Sequence, residues 1–173
     1  SMSSASPPAG RLKAREICAL ALIGALIFAA KLALAALPNI SLNALLIILT
    51  AVFFGWKVMY AVFVYVMLEG LMFGFGLWWF SYIYAWPLLG ALAALMRRVD
   101  SAFVWAMLAG AFGLCFGALC AIPYLFMGGW AMALSYWVSG IPFDLAHCAG
   151  NLVSVLLLYR PLRRAMAGII KPA

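Results

Sequence analysis

The stretch SGIPFDLAHCAGN, residues 139–151, places the single histidine of the chain three residues after an aspartate in an otherwise apolar segment. Pro142 favours the first turn of a helix, and Asp144 would then lie near the positive end of that helix. Asp144, His147 and Asn151 are spaced by three and four residues, so their side chains share one helix face. The stretch therefore predicts a final helix whose polar face is turned towards other helices or a ligand.

The composition is that of an integral membrane protein. Apolar residues make up 69% of the chain and charged residues 9%, whereas about a quarter of the residues of a soluble domain are charged. We expect no nucleic-acid partner, because the net charge of +7 comes from short basic clusters between apolar runs. We predict an all-α bundle in the lipid bilayer, since the runs approach the roughly 20 residues that cross a membrane. The six predicted transmembrane helices are residues 17–37, 42–54, 58–75, 82–95, 103–124 and 141–159.

The basic residues predict the orientation of the bundle. They precede the first predicted helix, occupy every second connection and follow the last helix, which places both termini in the cytoplasm. These residues are Arg11, Lys13, Arg15, Lys57, Arg97, Arg98, Arg160, Arg163, Arg164 and Lys171. We expect a multi-pass protein of the cytoplasmic membrane with N-in/C-in topology. Its parts are a disordered N-terminal tail (1–15), a six-helix transmembrane domain (16–160) and a short basic cytoplasmic tail (161–173).

Three charged residues fall inside predicted helices. Counting about 1.5 Å per residue from the cytoplasmic ends places Lys31 and Asp144 about 21 Å into the bundle and Glu69 about 16 Å. A charge at such a depth is costly unless it faces the bundle interior. Two interpretations stay open. The three residues line a binding cavity together with His147, or Lys31 and a carboxylate form an ion pair that only holds helices together.

Three predicted outer connections, residues 38–43, 74–82 and 127–140, contain amides, glycines and aromatic residues. Such segments are typical of lids over a site, although aromatic residues also collect at the lipid–water interface of membrane proteins in general. Together with the buried polar groups they supply the candidate substrate-binding residues. These are Lys31, Asn43, Glu69, Trp78, Trp79, Tyr84, Trp130, Asp144, His147 and Asn151.

No catalytic or metal-binding motif is present in the sequence. It contains no HExxH, GxSxG or P-loop pattern and no paired cysteines, so we expect neither an enzyme nor a bound metal or cofactor. The four cysteines lie in apolar runs and are expected to be small packing residues. They are Cys18, Cys115, Cys120 and Cys148.

The first predicted helix has a face of small residues. Ala21, Ala25, Ala29 and Ala33 repeat every four residues, and such a face lets another helix approach closely. Either a helix of a partner protein or a helix of the same bundle can occupy this position.

In its length, its six predicted helices, its alanine face and its polar last helix, the chain resembles the substrate-binding S components of energy-coupling factor (ECF) vitamin transporters. The resemblance is architectural and covers nearly the whole chain. It implies a capture protein without catalysis, which binds a micronutrient from outside and then topples within the membrane. It further implies that Ala21, Ala25 and Ala29 contact a transmembrane coupling subunit, and that two separate ATPase subunits drive release.

The resemblance leaves the substrate open, because the chain has no recognisable signature of the riboflavin, thiamine, biotin or folate members. Aromatic walls with charges of both signs suit a flat heterocycle with polar or zwitterionic groups, such as a B-group vitamin or its precursor. Two other functions also stay open. One is a scaffold whose polar residues only specify packing, and the other is a small proton-coupled transporter with Glu69, Asp144 and His147 as a proton relay.

Overall fold

A computed structural model describes residues 12–37 and 41–170 of the chain. The regular elements of these residues are all helical, as predicted. They are α1 (Ala14–Ala33), α2 (Asn43–Phe54), a 3-10 turn (Gly55–Lys57), α3 (Val58–Phe73), α4 (Leu77–Leu95) and α5 (Ala102–Ala167). By length and composition, four helical stretches could cross a membrane, namely Ala14–Ala33, Asn43–Phe73, Leu77–Leu95 and Ala102–Ala167.

The stretch Asn43–Phe73 reverses direction at Gly55. This residue has a φ of 58°, a conformation that glycine adopts without a steric penalty. The amide of Asn43 donates a hydrogen bond of 2.9 Å to the hydroxyl of Tyr65. In one continuous helix these two residues would be about 33 Å apart. α2 and α3 are therefore the two antiparallel arms of a helical hairpin.

α5 reverses in the same way. Its backbone is non-helical at Gly128 and Gly129, and the φ of 69° at Gly129 again favours glycine. These two residues divide α5 into a first arm, residues 102–127, and a second arm, residues 130–167.

The two arms of α5 pack against each other along their length. The rings of Tyr124 and Tyr136 stack near the turn, with centroids 4.3 Å apart, and the rings of Trp105 and Tyr159 are 6.2 Å apart at the far end. Between these pairs, a Cβ on Gly113 would lie 2.9 Å from a main-chain nitrogen of the second arm. Glycine at this position allows the two backbones to approach closely.

Basic residues from separate parts of the chain gather at one end of the bundle. Lys57, in the turn between α2 and α3, forms an ion pair of 2.8 Å with Glu16 at the start of α1. Arg97, after α4, lies against the same turn. Arg163, late in the second arm, pairs with Asp100 just before α5. The connections that contain basic residues are therefore neighbours in space.

Two predicted loops are much shorter in the structure. α4 begins at Leu77, so the non-helical part of the predicted loop 74–82 is limited to residues 74–76. The second arm begins directly after Gly129 rather than at residue 141. Clusters of glycine and tryptophan are typical of loops. At each of these two connections, however, a glycine with positive φ ends one helix, and the tryptophans that follow belong to the next helical segment. Neither connection is long enough for the lid that was predicted.

The predicted start of the last helix is also wrong. Pro142 lies inside the second arm, so Asp144 is more than three turns from the beginning of its helix and not near a positive helix end. A proline inside a helix is tolerated where neighbouring helices satisfy the backbone groups that it frees. The predicted connection 38–43 lies partly outside the described residues, and Asn43 begins α2. The first and last helices begin at Ala14 and end at Ala167, inside the segments expected to be tails.

The outer surface of the bundle is apolar. Leu22, Phe63, Leu71, Phe126 and Leu157 are largely exposed, and soluble proteins rarely expose so many large apolar side chains. Lipid tails are as apolar as leucine and would cover such a surface. The surface and the four long apolar helices are compatible with a membrane protein.

Candidate binding cavity

A cavity of about 550 Å³ lies between the end of α1, the start of α2, the middle of α4 and the hairpin of α5. Because α1 begins at the basic end of the bundle, this cavity lies at the opposite end. Pockets for small organic ligands are typically about 300–1,000 Å³. The polar lining residues are Lys31, Ser41, Asn43, Cys120, Tyr136, Ser139, Asp144 and His147, and the aromatic wall consists of Tyr82, Trp86, Phe116 and Phe143.

Four of the ten predicted site residues line this cavity. Lys31 comes from α1, Asn43 from α2, and Asp144 and His147 from the second arm of α5. The fold thus brings together polar residues from three helices that are far apart in the sequence.

Asp144 makes a close contact with the first arm. The backbone N–H of Gly117 donates to its Oδ1 at 3.0 Å. A Cβ on Gly117 would lie only 2.3 Å from Oδ2, so a glycine is needed for this contact. Asp144 is 6% exposed, and its Oδ2 has no hydrogen-bond partner among the residues that the structure describes. An unpaired buried oxygen costs free energy, which a ligand can recover.

Lys31 lines the cavity and also forms an ion pair with Glu69. Its Nζ lies 2.7 Å from Oε2 of Glu69, whose side chain is 1% exposed, against 31% for Lys31. The same Nζ lies 5.3 Å from the ring centroid of Tyr82 and 5.6 Å from that of Phe73, within the range of a cation–π interaction. The pair joins α1 to α3, as expected from the interpretation in which it holds helices together. Glu69 itself lies behind the cavity lining.

Asn43 and Trp86 each contribute a polar atom that is unpaired within the described part of the chain. Asn43 uses its Nδ2 to bind Tyr65, which leaves Oδ1 as an acceptor. Trp86 has a free Nε1 donor, while its ring lies 5.9 Å from Tyr82 and 5.4 Å from Phe116. Both residues are almost fully buried. The aromatic wall therefore contains a buried hydrogen-bond donor, the indole N–H of Trp86, that is unpaired within the described residues.

His147 packs against the same wall. Its ring meets Phe116 edge to face, with centroids 5.3 Å apart. The backbone of His147 is held by the close approach of Gly113, where a Cβ would lie 2.9 Å from the carbonyl carbon of His147. The glycines of the first arm thus set the position of the polar face of the second arm.

Three other predicted residues bind main-chain carbonyls instead of lining the cavity. Asn151 donates to a carbonyl of the first arm at 2.8 Å, Trp79 donates to a carbonyl of α3 at 2.9 Å, and Tyr84 donates to a carbonyl of the first arm. Each bond joins two helices, so the visible role of these side chains is packing.

Trp78 and Trp130 also lie outside the cavity lining. Trp78 packs edge to face on Tyr82, with centroids 5.1 Å apart, and so supports the wall from behind. Trp130 is 71% exposed and borders a separate apolar groove of about 240 Å³ between the arms of α5.

The aromatic wall was missed from the sequence. Tyr82, Trp86, Phe116 and Phe143 lie in helices that are apolar on all sides, so no hydrophobic face distinguishes the inward positions. The spacing of four between Tyr82 and Trp86, which puts both rings on one face of α4, was the available signal.

Comparisons of the chain with protein-family models, with curated proteins and with solved structures found no match. Among residues 12–37 and 41–170, no three His, Cys, Asp or Glu side chains come together as metal ligands. The function is therefore inferred from the cavity and from the arrangement of the helices around it.

Proposed function

We propose that this protein is a solute-binding membrane subunit, the S component of an ECF-type importer, which captures a small flat heterocycle such as a vitamin or its precursor. The observation that carries this proposal is the cavity of about 550 Å³, where charged, amide and imidazole groups from three helices face an aromatic wall. Binding sites for small molecules combine a mostly apolar lining with a few polar groups in this way.

In this proposal all six helical segments form the transmembrane bundle, with both termini in the cytoplasm. The hairpins at Gly55 and at Gly128 and Gly129 support six segments. The basic residues that gather at one end support the orientation, because positively charged connections remain in the cytoplasm. The cavity, at the other end, would then accept its ligand from outside the cell.

The alanine face of α1 supports docking on a coupling subunit. Ala21, Ala25 and Ala29 lie on the exposed side of α1, whereas Gly24 and Ile27 are buried. A Cβ on Gly24 would lie 2.6 Å from a carbonyl oxygen of α3, so the packing inside the bundle uses Gly24 and not the alanines. A smooth exposed face of this kind suits a helix of another membrane subunit.

Binding can be tested by thermal unfolding of the detergent-purified protein against a panel of water-soluble vitamins and precursors. A ligand at a hundred times its dissociation constant stabilises a fold by about 2.7 kcal/mol. The matched control is Gly140→Trp, because Gly140 lines the cavity and has no atom within 4 Å of a Cβ position. We expect one compound to stabilise the wild-type protein and not this variant. If none does, after removal of any co-purified ligand, the proposal is contradicted.

Docking can be tested by co-purification with a coupling subunit and its two ATPases. We expect Ala25→Trp to abolish assembly while ligand binding stays normal. Phe63→Trp is the control, since Phe63 is exposed on α3 and does not belong to the alanine face of α1. Normal assembly of the Ala25→Trp variant would exclude this face as the docking surface.

A second candidate is a structural membrane protein. The ion pair of Lys31 with Glu69 and the bond from Asn151 to the first arm favour it, because both join helices and so specify packing. A structural protein would show no saturable binding of any small molecule. A proton-coupled transporter would instead move substrate alone, in ATP-free vesicles with a proton gradient.

A further inference from the structure

We propose that the ligand of this cavity is a cationic heteroaromatic molecule whose positively charged nitrogen group binds Asp144. This rests on the proposed function, since it takes the cavity to be the site of a captured solute.

The charged groups around the cavity leave one negative charge unbalanced. Within residues 12–37 and 41–170, Lys31 is the only positively charged residue in the lining, and its Nζ is already held by Glu69 at 2.7 Å. Asp144 forms none of the ion pairs found among the described residues. The pair of Lys31 with Glu69 is neutral as a whole, and Asp144 is left without a counter-charge in this part of the chain, so a cationic ligand would complete the balance.

The geometry of Asp144 leaves one of its oxygens without a partner among the described residues. Oδ1 accepts the backbone N–H of Gly117 at 3.0 Å, and this bond fixes the orientation of the carboxylate. Oδ2 is buried and has no partner in the described part of the chain. Hydrogen bonds between a cation and a carboxylate are about twice as strong as bonds between neutral groups, so this oxygen would contribute most to recognition.

An anionic ligand is disfavoured by the same arrangement. It would have to draw Lys31 away from Glu69, whose side chain is 1% exposed. Removing the partner of a buried charge is strongly destabilising. The anion would also lie in the same cavity as Asp144, whose carboxylate would repel it. Its interaction with Asp144 would therefore be unfavourable, and its interaction with Lys31 would be costly to form.

The aromatic wall explains why the cation should be part of a flat ring system. Tyr82, Trp86 and Phe116 stand side by side, and aromatic faces attract cations as well as other rings. The Nε1 of Trp86, which has no partner among the described residues, is a donor and suits a ring nitrogen or carbonyl oxygen of the ligand. The expected ligand thus has a positively charged donor at one edge and an acceptor at another.

The test uses three probes of equal size and shape, benzamidine, benzamide and benzoate, which at neutral pH are a cation, a neutral amide and an anion. Dissociation constants are measured by tryptophan fluorescence on ligand-free protein, and thermal unfolding confirms them. We expect benzamidine to bind at least about tenfold more tightly than benzoate, and Asp144→Asn to weaken benzamidine by about tenfold. The same variant should weaken benzamide less than benzamidine, because only benzamidine carries a positive charge that the carboxylate attracts.

A second variant leaves Asp144 intact in case Asp144→Asn does not fold. Ser139 lines the cavity and is bonded only to a carbonyl of its own helix at 2.9 Å, so Ser139→Lys adds a positive charge at the rim. We expect it to weaken benzamidine and to strengthen benzoate. Ser139→Gln adds a side chain of similar length without the charge, so any effect of bulk alone should change the affinities of benzamidine and benzoate in the same direction.

The outcomes separate this inference from the proposed function. The charge inference is wrong if benzoate binds wild-type protein as tightly as benzamidine. It is also wrong if neither Asp144→Asn nor Ser139→Lys alters the order of the affinities of the three probes. In either case, a ligand whose binding is blocked by Gly140→Trp still supports a solute-binding cavity. If no probe and no compound of the vitamin panel binds, both proposals fail together.

Discussion

A single added methyl group should break the contact between Gly117 and Asp144. A Cβ at position 117 would lie 2.3 Å from Oδ2 and 2.7 Å from Oδ1 of Asp144, far inside normal contact distance. In the variant Gly117→Ala the carboxylate must therefore move, and it loses the bond of 3.0 Å from the backbone N–H of residue 117.

The expected size of the effect follows from two opposing terms. A hydrogen bond to a charged group contributes about 1.5–3 kcal/mol. Alanine is favoured over glycine inside a helix by about 1 kcal/mol. The free energy of unfolding of Gly117→Ala should therefore fall by about 0.5–2 kcal/mol relative to wild-type protein.

The matched control is Gly140→Ala. Gly140 also lies in a helix and lines the same cavity, but no atom lies within 4 Å of a Cβ at this position. This variant should be neutral or more stable, by up to about 1 kcal/mol. Unfolding in detergent, followed by tryptophan fluorescence, measures both variants. Equal stability of the two would refute the close contact.

A double-mutant cycle then assigns the effect to Asp144. With Asp144→Ala present, the methyl group at position 117 has no carboxylate to displace, so Gly117→Ala should no longer destabilise. The interaction energy should be about 1–3 kcal/mol. Additive losses in the double variant would show that the methyl group acts elsewhere.

Three further variants test the packing around the cavity. Lys31→Met leaves Glu69 buried without its partner and should destabilise the protein by about 2–4 kcal/mol, less than for a fully buried pair. The double variant with Glu69→Leu should recover most of this loss of stability in thermal unfolding. No recovery would mean that the unpaired charge is not the cause. Gly24→Leu should prevent a monodisperse peak in size-exclusion chromatography, because α3 lies against Gly24. Ala25→Leu, on the exposed side of α1, should elute like wild-type protein. The same elution for both variants would contradict the close approach of α1 and α3. Asn151→Ala removes a buried hydrogen bond of 2.8 Å and should lower the free energy of unfolding by about 1–2 kcal/mol. Ligand affinity should stay unchanged. A large loss of affinity would place Asn151 in the binding site.

The sequence was sufficient to predict a helical protein and part of the cavity. The length of the apolar runs indicated helices, and the rise per residue put Lys31 and Asp144 at the same depth. Both line one cavity in the structure. His147 followed from its spacing of three from Asp144. These placements could be read from the sequence because they depend on local helical geometry alone.

Other predictions failed because they depended on where helices end. The tryptophans at positions 78 and 130 follow glycines and were assigned to lids, but the backbone leaves the helical conformation only at residues 74–76 and at Gly128 and Gly129 in these two connections. Pro142 was taken for a helix start, yet a packed helix accommodates it in its interior. Tyr82 and Trp86 were missed because an inward aromatic side chain and an ordinary core side chain have the same sequence signal.

The most direct test of the binding cavity is native mass spectrometry of the protein purified in mild detergent, with Gly140→Trp prepared in parallel. We predict that wild-type protein carries one organic molecule per chain, or takes one up from a mixture of water-soluble small molecules. The Gly140→Trp variant should have the same thermal unfolding curve in the absence of ligand and should carry no such molecule. Wild-type protein that binds no small molecule, or equal occupancy in the two proteins, would contradict a solute-binding cavity at this site.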